Sequence, residues 1–184
     1  MKIEYVTGNI LDAPERIVVQ GCNAQGVMGK GLAKSIRDRH PIVFEEYRRA
    51  YEERPDKSRG LPMGSIIWVA PDEHRVFANA ITQDHYRQDP DEPVVHADYG
   101  AIAYVVEELD NLAASSQNEK FRCRSTHALT NGVMINSLIN LIAFPLIGAG
   151  LAGGSWSRIA GIIESGSKHF TPVVYLLDGK IPTT

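Results

Sequence analysis

Two glycine-rich loops carry the residues of this chain that are best suited to hold a ligand. The first runs from Gly21 to Gly31 after the apolar run Ile17–Val19, and the second, Gly148–Gly154, follows Leu141–Phe144. Each loop leads from a strand-like run into a helix-like run. Such a turn aims free backbone N–H groups and the positive end of a helix at one spot, which suits phosphate. Two such loops predict a ligand held across a diphosphate.

The elements that must position these loops alternate between strands and helices. An α/β fold with a mixed, mainly parallel central sheet follows from this alternation. The predicted strands are Ile3–Val6, Ile17–Gln20, Ser65–Val69, Arg75–Ala80, Leu141–Phe144 and Val173–Leu177. The predicted helices are Lys30–Arg39, Val43–Glu53, Ala97–Leu112 and Ser155–Ser165. We expect one domain over residues 1–184, with a polar surface insertion at about 113–140.

Composition excludes several classes of function. The formal net charge of -3 and the pI near 6.1 provide no general basic field for nucleic acid. No apolar run reaches the roughly 20 residues that a membrane span needs, and no secretory signal is visible. The two cysteines, Cys22 and Cys123, form no disulfide framework. We therefore expect a cytoplasmic protein, and a monomer.

Known nucleotide-binding motifs fit the loops only in part. Gly148-x-Gly150-x-x-Gly153 matches the dinucleotide fingerprint, but one predicted strand remains after it and the expected acidic residue is missing. A dinucleotide-dependent oxidoreductase is therefore a remote alternative. The first loop is not a phosphate-binding P-loop, because Val27-Met28 stands where that motif needs Lys and Ser or Thr.

At four segments the chain resembles the macrodomain family, whose members bind ADP-ribose. The segments cover the first strand, both loops and the last strand: Val6–Ile10, Val19–Ala33, Phe144–Trp156 and Val173–Tyr175. The most similar subgroup contains terminal ADP-ribose glycohydrolases, antitoxin macrodomains that act on DNA, and ADP-ribose 1''-phosphate phosphatases. The resemblance implies a three-layer α/β/α sandwich, and no metal or cofactor.

The resemblance also implies a position for each part of the ligand. Adenosine is expected near Asn9, the diphosphate between the two loops, and the distal ribose, the sugar beyond the diphosphate, over Asn23. The implied ligand-binding residues are Asn9, Ile10, Gly26, Val27, Met28, Gly29, Gly31, Gln83, Ile147, Gly148, Ala149, Gly150, Leu151, Ala152 and Gly153.

The chain departs from the catalytic patterns of the subgroup. Ala152 stands where the glycohydrolases have an Asp in the second loop, their Lys after the fourth strand is absent, and Gln20 stands where the yeast-type phosphatases have a His. Asn9 replaces the Asp that commonly accepts a hydrogen bond from the adenine amino group; its amide oxygen still accepts, without charge assistance.

The remaining catalytic candidates are Asn23, Asp84 and His85. Asp84-His85 is the one acid–base cluster at a strand end that leads into a loop, so we expect it to activate water. The histidines at 40, 74, 96 and 169 form no pattern with other polar residues, and Cys123-x3-His127 lacks the second ligand pair of a zinc site.

Hydrolysis at the distal ribose is the expected chemistry, on a 1''-phosphate or on an ADP-ribosyl link. Water is the expected nucleophile, because no Ser, Cys or Lys nucleophile presents itself. The leaving group stays open: phosphate, protein or nucleic acid. The alternative is a module that binds ADP-ribose without turning it over.

Overall fold

The computed structural model describes residues 1–86, 94–117, 127–128, 134–135 and 138–182. Four helices and eight strands lie in these ranges. The helices are α1 Gly31–Arg39, α2 Pro41–Glu52, α3 Tyr99–Gln117 and α4 Trp156–Gly166. The strands are β1 Glu4–Thr7, β2 Ile17–Asn23, β3 Ile66–Val69, β4 Val76–Gln83, β5 His127–Ala128, β6 Met134–Ile135, β7 Leu141–Phe144 and β8 Thr171–Leu176.

Six of the strands form one mixed sheet in the order β1-β8-β7-β2-β4-β3. The first five in this order are parallel, and β3 pairs antiparallel with β4 at the edge. A separate short antiparallel pair joins β5 and β6. The predicted mixed, mainly parallel sheet is confirmed.

Helices cover both faces of this sheet. On one face α1 and α2 bury Ile36, Val43 and Tyr47 against a cluster that includes Val18 of β2. On the other face α3 and α4 pack on a cluster that includes the next residue of β2, Val19. Neighbouring side chains of a strand point to opposite faces, so β2 is buried on both sides and lies in the middle of three layers.

Three elements extend three or more residues further than the sequence predicted, and one of them is β4, which continues past Ala80 to Gln83. β2 continues past Gln20 to Asn23, because Gly21-Cys22 pairs in register with Ala80-Ile81 of β4. α3 continues from Leu112 to Gln117, so the first residues of the predicted insertion at 113–140 are helical. The rest of that segment lies largely outside the described residues, as does Cys123.

No helix in the described part of the chain is long and apolar enough to span a membrane.

Candidate functional site

Parallel strands bring the candidate segments to one edge of the sheet. Asn9 and Ile10 follow β1, the second glycine loop follows β7, the first forms the end of β2 and its continuation, and Asp84 follows β4. From β1 to β4 the edge spans four strand spacings, about 19 Å. This length suits an elongated ligand that contacts several strand ends in turn.

The two glycine loops leave the sheet at its topological switch point. β2 and β7 are neighbours, yet β2 leads to α1 and α2 on one face, while β7 leads to α4 on the other. The loops diverge at this point and leave a crevice between them. Ligands of open α/β sheets bind in such crevices at the carboxyl ends of the strands.

The first loop presents backbone donors where α1 begins. The N–H groups of Gly29, Lys30 and Gly31 have no hydrogen-bond partner among the described residues. Gly26 adopts φ 71°, and an added Cβ there would lie 2.9 Å from the Tyr51 ring. The loop therefore needs glycine at position 26 for its own shape, and its exposed donors suit an anion.

The second loop presents donors in the same way. The N–H of Ala149 bonds to the Leu146 carbonyl and that of Gly153 to the Gly150 carbonyl, whereas those of Gly148, Gly150 and Ala152 find no partner within the described ranges. Gly148 has φ 72° and lies against the side chains of α3 and α4, so its backbone is fixed by packing. An added Cβ at Gly150 would meet no protein atom within 4 Å.

Direct contacts tie the loops to each other. The Leu151 side chain lies 3.7 Å from the position of a Cβ on Gly31, so the second loop reaches across the crevice to the first. At Gly21 a Cβ would come within 3.0 Å of Ile147 and 2.9 Å of the Thr82 hydroxyl. Glycine at position 21 therefore allows β2, β4 and the second loop to approach closely.

Asn23 organises the first loop through its side-chain amide. Its Oδ1 accepts hydrogen bonds from the N–H groups of Gln25 at 3.0 Å and Val27 at 3.2 Å, and from the Tyr47 hydroxyl at 3.0 Å. Its Nδ2 donates to the Val27 carbonyl at 2.6 Å. The side chain is 6% exposed. Asn23 thus has the structural role of a turn residue and also lies where the ligand is expected.

At the other end of the edge, Asn9 caps a short turn. Its Oδ1 accepts a hydrogen bond from the Leu11 N–H at 3.0 Å, which uses one lone pair of the oxygen and leaves the other. The N–H of Ile10 has no partner in the described part of the chain. The pair therefore offers one donor and one acceptor at neighbouring positions.

The side chains of Ile10, Met28, Ile147 and Ala152 are buried at 5% exposure or less. These four of the predicted ligand-binding residues belong to the core and offer only their backbone to the crevice. The neighbouring Cys22 is 3% exposed, and burial raises the pKa of its thiol.

Asp84 pairs with a different histidine from the one expected. Its Oδ1 lies 3.6 Å from Nδ1 of His96, whereas the His85 ring stacks on Tyr86. The prediction that the histidines form no pattern with other polar residues is wrong for His96, and also for His169, whose Nδ1 lies 2.9 Å from the Asp110 carboxylate. Segment 94–98 reaches Asp84 because the N–H of His96 bonds to the Ala152 carbonyl of the second loop at 2.9 Å.

Gln83, the last residue of β4, braces this turn. Its Nε2 donates to the His85 carbonyl at 2.7 Å, and its own carbonyl accepts the Ala24 N–H at 2.8 Å. The Gln25 side chain also donates to the Asp84 carbonyl, at 3.2 Å. These hydrogen bonds hold the first loop against the end of β4, on the side where the distal ribose is expected.

A polar cleft of about 480 Å³ opens beside Asp84 and His96. Tyr99 and Arg158 line its far wall, and the Arg158 guanidinium lies 3.9 Å above the centre of the Tyr99 ring. The sequence analysis missed both residues, since they lie on different helices and form no local pattern.

Among the described residues no group of three His, Cys, Asp or Glu side chains could hold a metal ion.

Comparison with known proteins identifies the architecture. The macrodomain of Mycobacterium tuberculosis DarG superposes with a TM-score of 0.67 over 94% of this chain and 96% of that chain, at 22% sequence identity. The chain has the macrodomain fold. The three-layer α/β/α sandwich that the resemblance implied is thus confirmed. No protein-family model matches the chain.

Curated relatives of the chain are named for activities on ADP-ribose derivatives. An ADP-ribose 1''-phosphate phosphatase from Neosartorya fischeri is 23% identical, with 94% of each chain covered. A DNA ADP-ribosyl glycohydrolase from Thermus aquaticus is 28% identical over 88% of this chain. The chain spans 37% of the length of the Thermus protein.

Proposed function

We propose that this macrodomain binds ADP-ribose, or a derivative of it, along the carboxyl edge of the sheet. The observation that carries the proposal is the pair of facing loops, each of which has three backbone N–H groups without a partner among the described residues: Gly29, Lys30 and Gly31 in the first loop, and Gly148, Gly150 and Ala152 in the second. Two sets of donors on either side of one crevice match the two phosphates of a diphosphate. The named activities of both curated relatives support the same ligand class.

The order of the strands is consistent with the direction that the resemblance implies for the ligand. Adenosine lies at the β1 end, where Ile10 offers an N–H and Asn9 an amide oxygen to the edge of the base. The distal ribose lies at the β4 end, over Asn23 and next to Asp84. The diphosphate bridges the crevice between Gly29–Gly31 and Gly148–Gly153.

Hydrolysis at the distal ribose is the proposed chemistry. The oxygen of a bound water attacks C1'' of an ADP-ribosyl link or the phosphorus of a 1''-phosphate, and the bond to the leaving group breaks. The Asp84 carboxylate takes the proton of the attacking water, since it lies at the lip of the polar cleft. Asn23 holds the ribose during this step. His85 stays a candidate partner of Asp84, and the contact of Asp84 with His96 adds a second histidine to the cluster.

A module that binds ADP-ribose without turnover is the second candidate. One observation favours it: the Asp84 side chain is 77% exposed, so neighbouring groups exert little control over its orientation. Residue 152, where the glycohydrolases have an Asp, is a buried Ala. The dinucleotide oxidoreductase finds no support in the fold, because a single sheet strand, β8, follows the fingerprint glycines in the described ranges.

All segments of this edge come from a single chain, so a monomer suffices for the proposal. The net charge of -3 disfavours general binding of nucleic acid. ADP-ribosylated DNA remains a substrate candidate, because the contacts proposed here are to the ADP-ribosyl group.

A panel of linkages separates the enzyme from the binding module. The protein is incubated with ADP-ribose 1''-phosphate, ADP-ribosylated DNA and ADP-ribosylated protein, and free phosphate and free ADP-ribose are measured. Release from one linkage that disappears in Asp84→Ala supports the hydrolase and names its leaving group. Binding of ADP-ribose without release from any linkage contradicts the hydrolase and favours the binding module.

A further inference from the structure

A buried tyrosine hydroxyl lies directly beneath the first loop. Tyr47 belongs to α2 and is fully buried, and its hydroxyl donates to the backbone carbonyl of Asn23 and lies 3.0 Å from the Asn23 Oδ1. Burial, first of all, raises the pKa of Tyr47 well above its ordinary value. The hydroxyl therefore stays protonated and remains a donor to Asn23 at every pH at which the protein is handled.

One N–H of the Asn23 side-chain amide is left available for a ligand. Its Oδ1 already faces three donors, from Gln25, Val27 and Tyr47. One N–H of Nδ2 bonds to the Val27 carbonyl. The second N–H of Nδ2 has no acceptor among the described residues. Towards a ligand, Asn23 can therefore act as a donor of one hydrogen bond and hardly as an acceptor.

We propose that Tyr47 is a positioning residue, which fixes the Asn23 amide so that its remaining N–H points at an oxygen of the distal ribose. The inference rests on the proposed function, because it takes the distal ribose to lie over Asn23. It goes beyond that function in assigning the atom that binds the sugar and the residue that orients it. Without the Tyr47 hydroxyl the amide keeps its bonds to Gln25 and Val27 but loses the contact from below, which loosens a terminal torsion that has broad, roughly twofold preferences.

Affinities for ADP-ribose and for ADP test the inference, because ADP lacks the distal ribose. In Tyr47→Phe we expect the affinity for ADP-ribose to fall about tenfold, the scale of one positioned hydrogen bond, with the affinity for ADP unchanged. A purely structural role would lower both affinities alike. Tyr51→Phe is the matched control: Tyr51 lies on the same helix against Gly26 and makes no hydrogen bond to Asn23.

A double-mutant cycle with Asn23→Ala shows whether Tyr47 acts through Asn23. If it does, Tyr47→Phe lowers the affinity for ADP-ribose in the wild-type background and has no further effect in Asn23→Ala. Additive losses, or an unchanged preference for ADP-ribose over ADP in Tyr47→Phe, would overturn the inference.

Failure of the proposed function gives a different result. If the wild-type protein binds neither ligand, or binds ADP as tightly as ADP-ribose, the placement of the distal ribose is wrong. The role of Tyr47 is then decided by NMR of the Asn23 side-chain amide in the free protein. Two sharp, slowly exchanging Nδ2 protons that broaden or exchange faster in Tyr47→Phe support positioning, and identical behaviour in both proteins overturns it.

Discussion

At the scale of single residues, the candidate site is built from backbone groups more than from side chains. An added Cβ would meet only Val27 at Gly29, 3.8 Å away, and no atom within 4 Å at Gly150, whereas the side chains of Met28, Ile147 and Ala152 are buried. A backbone donor needs no charged side chain to hold a phosphate. Lys30 is the single charged residue of the two loops, so most of the groups that would hold an anion belong to the backbone.

Gly150→Val tests the second loop directly. Gly150 does not have a positive φ, and an added Cβ meets no protein atom within 4 Å, so the fold should be unaffected. The branched side chain would instead occupy the space for phosphate, and we expect binding of ADP-ribose to be lost in calorimetry. Gly161→Val is the control, since Gly161 also has open space but lies within α4. A folded Gly150→Val protein with full affinity would exclude the second loop from the site.

Asp84→Ala tests the proposed base. We expect turnover to fall about 10²-fold or more with little change in the affinity for ADP-ribose, because a general base acts in the transition state. His96→Asn should cause a smaller loss, since Asn keeps a polar group near Asp84. His85→Ala tests the other predicted catalytic residue, whose ring stacks on Tyr86 and lies 6.0 Å from the His96 ring, centre to centre. Unchanged turnover in Asp84→Ala would remove Asp84 from the mechanism.

At the scale of elements, α3 and α4 meet at a glycine. A Cβ on Gly166 would lie 2.5 Å from a Val106 methyl group, so the helices are as close as glycine allows. We expect Gly166→Ala to lower the free energy of unfolding by about 1–3 kcal/mol, from overpacking. Gly161→Ala on the same helix has free space and should stabilise by up to about 1 kcal/mol. Urea unfolding measures both, and equal stabilities would contradict this packing.

The elements themselves were predictable from the sequence, because apolar runs and helical spacing report burial directly. Strand β7 has the predicted bounds, and the other sheet strands and helices differ at their ends by up to five residues. The Gly21–Asn23 part of β2 was missed because glycine is rare in strands, and here it serves the close approach of Ile147 and Thr82.

The contact of Asp84 with His96 could not be predicted in the same way. It depends on a hydrogen bond from His96 to the carbonyl of Ala152, more than fifty residues away in sequence. The role of Tyr47 beneath Asn23 likewise requires the position of α2 under the first loop. The local sequence pattern does not predict either of these two long-range contacts. The glycine loops, in contrast, can be recognised from a few consecutive residues.

At the scale of the whole molecule, a buried carboxylate ties α3 to the segment before β8. Asp110 accepts hydrogen bonds from the N–H groups of Lys168 at 2.6 Å and His169 at 2.7 Å, and lies 2.9 Å from the His169 ring nitrogen. Burial acts to raise the pKa of Asp110, but the His169 ring and the two N–H groups outweigh it and hold that pKa below its ordinary value.

Acid should therefore weaken this tie. A depressed pKa in the folded state contributes stability above the ordinary value of about 3.9, and the contribution is lost as the pH falls through the folded value. We expect Asp110→Asn to destabilise the protein by about 1–3 kcal/mol at pH 7, with the difference from wild type shrinking below about pH 4. Unfolding followed from pH 7 to pH 3 measures this, and a difference that grows on acidification would contradict the assignment.

Calorimetry with the wild-type protein tests the central claim most directly. ADP-ribose, AMP, ribose 5-phosphate and NADH are titrated separately into the same preparation. The two loops are separate sets of donors that require the whole diphosphate, so ADP-ribose should bind and the two fragments should bind far more weakly. The absence of heat with millimolar ADP-ribose, or tighter binding of NADH than of ADP-ribose, would contradict the account.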